Sequence, residues 1–113
     1  MRIAVASNGL DIAPSFSQCE NFNYYTTKSY EIVASQNFPA QGLAAEEYAS
    51  VMEDMGVNAI ICDQIGALAR NAFESRDIKV VDSKQGNALA AAQELIEAMA
   101  EALVNEEAED DDE

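Results

Sequence analysis

Apolar and polar positions along the chain change period three times, and each change marks an element. Arg2–Ala6 is short, β-branched and apolar on both faces, the pattern of a buried strand. Asn8-Gly9 and Pro14 then break the chain, which predicts a loop over Ser7–Glu20. Asn21–Thr27 alternates, with Phe22, Tyr24 and Thr26 on one face, and Tyr30–Ser35 repeats the alternation with Tyr30, Ile32 and Ala34. Only Lys28-Ser29 lies between these runs, so they predict a β-hairpin. Gln36–Gly42 reads as a polar connector.

The period then becomes helical. Ala44, Tyr48, Val51, Met52 and Met55 share one helix face, and Gly56 ends it. Ile65, Leu68, Ala69, Ala72 and Phe73 mark a second helix, and Leu89, Ala92, Ile96, Met99 and Leu103 a third. Two short apolar strands, Ala59–Cys62 and Ile78–Val81, separate them. Strands that alternate with helices lie parallel and are joined by right-handed crossovers. The hairpin must grow from one side of the first strand and the later strands from the other. The expected architecture is an α/β domain with three helices and a five-stranded mixed sheet, order 3-2-1-4-5, strand 2 antiparallel. Ligands in such sheets sit where the order reverses, outside the carboxyl ends of the strands.

Charge narrows the partners. The chain of 113 residues carries 21 acids against 6 bases, a net −15. Seven of the acids crowd into Glu106–Glu113, which predicts an acidic disordered tail behind a single domain spanning 1–105. Without that tail the net charge is still −8, and the bases (Arg2, Lys28, Arg70, Arg76, Lys79, Lys84) are scattered. Binding to a nucleic-acid backbone needs clustered Lys and Arg, so nucleic acid is not expected as a partner. No window reaches the roughly 20 apolar residues of a membrane span. The first residues lack the apolar run of a signal peptide. These observations predict a cytoplasmic protein with free thiols, a monomer or weak homodimer.

Candidate chemistry rests on two cysteines. Cys19 ends the loop after the first strand, and Cys62 ends the fourth. If those strands are neighbours, both sulfurs open onto one crevice. A thiolate is a soft ligand suited to iron–sulfur clusters, zinc or Cu(I). The alternative is two small residues packed at strand ends. The loops Cys62–Gly66 and Asp82–Asn87 lead into helices, where backbone amides favour anions and Lys84 adds positive charge, or they are plain connections. The tyrosines are read as packing the hairpin against a helix. With no histidine in the chain, Ser-His-Asp and Cys-His arrangements are excluded. The carboxylates show no catalytic spacing, so no enzyme is expected.

The order of short motifs resembles the nitrogenase iron–molybdenum cofactor biosynthesis accessory family, the NifX and NifB C-terminal type. Ser7-Asn8-Gly9 matches the family's turn after its first strand, and Ile12–Cys19 matches its following loop. Asn21–Val33 resembles its hairpin, Asp63-Gln64-Ile65-Gly66 its glycine-rich turn, and Gly86–Ala91 its late helix start. Ser15 stands where the family carries a histidine, Ser17 where it carries a glycine, and Asp63-Gln64 where it has a glycine pair. The resemblance implies a ribonuclease H-like motif that binds or carries an iron–sulfur or iron–molybdenum cofactor precursor, without turnover. With the family's histidine replaced, Cys19 and Cys62 are the expected metal ligands, with Ser15, Asn8, Gly9 and Gly66 beside the cofactor. The loop Ser7–Gln18 would act as a lid, and a cofactor-biosynthesis protein would be the partner. The alternative is a cofactor-free interaction or regulatory module on the same fold.

Overall fold

The computed structural model describes residues 1–111, with side chains described to Leu103. Strand β1 (Arg2–Asn8) lies at the centre of the sheet. It pairs antiparallel with β3 (Asn21–Lys28) on one side and parallel with β5 (Val57–Ile61) on the other. β4 (Glu31–Pro39) extends the sheet beyond β3, and β6 (Lys79–Val81) extends it beyond β5. The order β4-β3-β1-β5-β6 is the expected one. The count is not: the sheet has six strands, because Asp11–Ile12 forms a two-residue strand, β2, antiparallel to the end of β1. Two residues are too few to show a period, so this strand was read as loop.

β1 explains the layering. Ile3 and Val5 point to one face and Ala4 and Ala6 to the other, and all four are fully buried. On the alanine face lie helices α1 (Ala45–Asp54) and α2 (Ala67–Glu74), packed through Ala49, Met52, Ala72 and Phe73. The small β1 side chains leave room there for an aromatic group. Phe16 meets Phe73 edge-on at 5.5 Å, and Phe22 lies 5.0 Å from Tyr48. On the opposite face, α3 (Ala88–Asp111) packs Ala88, Ala91, Ala92 and Ile96 against Ile3, Val5, Tyr25 and Ile61.

Three further differences have physical reasons. β4 runs four residues past its expected end, pairing Phe22 with Phe38 and Asn21 with Pro39. An exposed edge strand need not alternate, so Gln36-Asn37 did not announce it, and Pro39 is tolerated because its missing N–H lies at an edge. On α3, Leu89, Met99 and Leu103 are 38–41% exposed, and the buried stripe is made of alanines and Ile96. Small residues let the helix sit close to the sheet, so large side chains mislead there. Of the acidic tail expected at 106–113, residues 106–111 continue the backbone of α3, and 112–113 lie outside the described residues. Among the described residues no helix is long and apolar enough to cross a membrane.

The hairpin turn is Ser29-Tyr30, one residue later than expected. Both residues have positive φ, 54° and 63°. A two-residue hairpin loop needs that conformation, but it suits Asn-Gly, and each ordinary side chain held there costs about 1–2 kcal/mol. Replacing Ser29-Tyr30 with Asn-Gly should therefore raise stability by about 1 kcal/mol, or about 4 °C in Tm, measured by thermal unfolding. An unchanged or lower Tm would show that Tyr30 contributes packing that outweighs the strain.

Candidate functional site

The carboxyl ends of β1 and β5 meet at the seam where strand order reverses. Two loops leave this seam, and backbone hydrogen bonds tie them together. Phe16 N–H donates to the Gln64 carbonyl at 2.9 Å, and Gln64 N–H donates to the Pro14 carbonyl at 3.3 Å. Ser15 and Gln64 form an isolated parallel bridge. Farther back, Ala13 N–H donates to Ala6 O (3.0 Å) and Ile12 N–H to Gly86 O (2.8 Å). The loop expected to serve as a lid is thus fastened at four points. Phe16–Gln18 then makes a single 3-10 turn, and Cys19 N–H closes it on the Phe16 carbonyl at 3.3 Å.

Between this turn, the start of α2 and the segment before α1 lies a cavity of about 690 Å³. Its polar lining is Ser15, Ser17, Cys19, Tyr48 and Gln64, with the Gly66 backbone at the mouth of α2. Leu43, Ile65 and Leu68 supply apolar wall, and among the described residues no charged side chain lines it. Leu68 is 87% exposed at the rim. Ser15 and Ser17 share a hydrogen bond between hydroxyls at 2.9 Å. The Tyr48 hydroxyl accepts from Gln41 N–H (3.0 Å) and Leu43 N–H (3.2 Å), which holds the wall before α1 in place.

Three of the six candidate residues, Ser15, Cys19 and Gly66, therefore line one cavity. The other three do not. Asn8 and Gly9 work in a turn that secures the loop to β3. The Asn8 side-chain oxygen accepts from Glu20 N–H at 3.0 Å, and the Gly9 carbonyl accepts from the side-chain amides of Asn21 and Asn23. Gly9 has φ +68°, a conformation that favours glycine, so its reason for being there is conformational. Cys62 is fully buried in the cluster beneath α1 and α2. The sequence placed both sulfurs near one seam, and Cys19 adds a small share to the cost of charging Cys62. Yet only Cys19 reaches the cavity; Cys62 belongs to the core.

Electrostatics sharpen that contrast. Burial pushes the Cys19 thiol up to about 11, only partly offset by a backbone hydrogen bond. Burial, with added repulsion from Asp82, pushes Cys62 up to about 12, against an opposing pull from Arg70. Burial, aided by Cys19 and Tyr48, takes Tyr24 to about 12 as well. Both cysteines are free thiols. The cations do not help: Arg70 pairs with Asp82 and Glu74, and Lys84 pairs with Glu94 at 3.5 Å rather than serving the crevice. Among the described residues no three His, Cys, Asp or Glu side chains gather as a metal site.

Tyr48 and Gln64 belong to this cavity but were not among the candidates. Tyr48 occupies a core position of α1, and nothing in the periodicity marks its hydroxyl as functional. Gln64 was visible only as part of a turn.

With a disulfide-exchange reagent near pH 8, one thiol, Cys19, should react slowly and a second only after denaturation. The Cys19 rate should keep rising with pH toward about 11, well past the ordinary cysteine value. A Cys19→Ala variant should lose the native signal. Fast reaction of two thiols in the native protein would contradict this geometry.

The fold has known relatives. The protein PH0822 superposes with a TM-score of 0.79 at 17% identity, covering 87% of this chain and 90% of its own. A Methanococcus jannaschii protein provisionally assigned as a dinitrogenase gives 0.70 at 23% identity, covering 88% and 89%. A Thermotoga protein provisionally assigned as NifB, of the DUF35 family, gives 0.62 at 24%, covering 88% and 87%. At these identities the likeness shows the fold alone. No curated protein matches the sequence. The profile of the family described as dinitrogenase iron-molybdenum cofactor matches residues 1–99, nearly the whole described domain. The chain therefore belongs to the dinitrogenase iron–molybdenum cofactor family, which links it to the biosynthesis or carriage of that cofactor.

Proposed function

We propose that the protein is a cytoplasmic accessory factor that transiently holds an iron–sulfur or iron–molybdenum cofactor precursor as cargo in the Cys19 cavity. It performs no turnover chemistry and passes its cargo to a cofactor-biosynthesis protein. We read the sheet, with helices on both faces, as a ribonuclease H-like motif forming one domain over 1–105. The observation that carries the proposal is a lone half-buried thiol in an uncharged cavity, within a chain of this family.

The donor set tests what the cargo can be. A resident cluster needs about four protein ligands, and this cavity offers one sulfur. A resident cluster does not fit. A precursor that brings its own sulfides needs only an anchoring thiolate and neutral hydrogen-bond donors. Ser15, Ser17 and Gln64 have side chains suited to that, and Gly66, also in the lining, caps the start of α2. The cavity's neutrality matters because the chain carries a net −15, which repels anions at a distance. Capture therefore depends on short-range contacts, and the thiol must lose its proton as the metal binds.

A second reading keeps the fold and dispenses with the cargo. The high Cys19 pKa favours it, because a protonated thiol is a poor ligand. One experiment separates the two. The full chain is incubated anaerobically with iron and sulfide, desalted, and its visible charge-transfer absorption recorded. The native chain and Cys62→Ala should both acquire the band, and Cys19→Ala should not. No band in the native chain supports the cargo-free module. A band retained by Cys19→Ala would remove Cys19 from the site.

A further inference from the structure

β4 has an open outer edge. It pairs with β3 on one side, and among the described residues no strand pairs with the other. Natural proteins guard such edges with lysines, short strands, inward charges or a covering element. β4 carries two partial guards, a bulge at Val33 and Pro39 at its end, but between them it has no lysine, no inward charge and, among the described residues, no covering strand. It is nine residues long, and from Ile32 to Pro39 it carries no charge. Val33 is 59% exposed and Phe38 45% exposed. In a chain of net −15, an uncharged run on an open edge stands apart.

We infer that β4 is a self-association edge, pairing antiparallel with β4 of a second copy about a two-fold axis at Gln36. The sequence is self-complementary in that register. Val33 would face Pro39, Ala34 would face Phe38, Ser35 would face Asn37, and Gln36 would face its own symmetry mate. Glu31 would face Gln41, so no like charges oppose each other. Phe38 already rests against Tyr24, with ring centroids 5.6 Å apart, and the incoming Ala34 would cover its exposed side. Pro39 sits at the strand's end, where a missing N–H costs least. An oppositely charged partner gains nothing from this uncharged edge, whereas a second copy matches it residue for residue. The pairing joins two sheets into one. Its centre, Ala34–Phe38, includes no residue that lines the Cys19 cavity, whose wall starts at Ala40, so it stands or falls independently of the cargo proposal.

Two features set the strength. A strand pairing alone buries less than about 1,200 Å², the range of weak, transient contacts. Each copy also carries net −15, so repulsion should oppose association and salt should relieve it. Sedimentation velocity on the full chain, from about 10 µM to about 1 mM at low and high salt, should show a dimer that strengthens with salt. Gln36→Lys and Gln36→Glu, both at an exposed position, should each weaken dimerisation by at least about tenfold. Mixing the two variants should restore it. A monomer at every concentration and salt, or a dimer indifferent to both substitutions, would overturn the proposal. Failure of the mixture to recover would overturn the register.

Discussion

The reciprocal backbone bonds between Pro14–Phe16 and Gln64 are the constraint on which the site depends. They bind the loop that follows β1 to the loop that follows β5. Without them the stretch from Pro14 to Glu20, beyond β2, would cross the seam with nothing joining it to the loop after β5. With them, Phe16 is held down into the aromatic group, its ring against Phe73 and Tyr48. That single anchor has two consequences. The 3-10 turn behind it aims Cys19 at the cavity, and the packed rings leave Cys62 beneath them with no exposure.

Burial and chemistry therefore divide between two residues of the same type. Cys62 directly follows a strand, β5, whose every residue except Asn58 is buried, and its thiol is costly to charge there. Cys19 lies at the margin, where a thiol can be both reached and desolvated. A buried neutral thiol is an inert group until something displaces its proton. That property suits a carrier, which must bind cargo only when a metal centre is presented and otherwise stay unreactive.

Much of this was legible in the sequence. The apolar run Arg2–Ala6 marked β1 as a strand buried on both faces, and the hairpin followed by β-α repeats set the strand order. The seam and its two cysteines followed from that order. What escaped has identifiable causes. β2 is too short to show a period. β4 continues through polar residues because an edge strand has no buried face to enforce alternation. α3 turns alanines to the sheet, so its large apolar residues pointed to the wrong face. Cys19 and Cys62 looked equivalent because each sits past an apolar strand. Packing is what distinguishes them: Cys62 is sealed in the cluster that holds Phe16 and Phe73, and Cys19 lies against it at the cavity wall. Asn8 and Gly9 became candidates through the resemblance to the family's turn, and here that turn organises the loop instead of reaching the cavity.

The most direct test of this account is native-state hydrogen exchange at the Phe16 and Gln64 amides. If the tie between the loops organises the site, both amides should exchange only through near-global unfolding, as slowly as those of β1. Exchange as fast as in an unstructured peptide would mean that the loops part freely, and the division between a reachable Cys19 and a sealed Cys62 would have no structural basis.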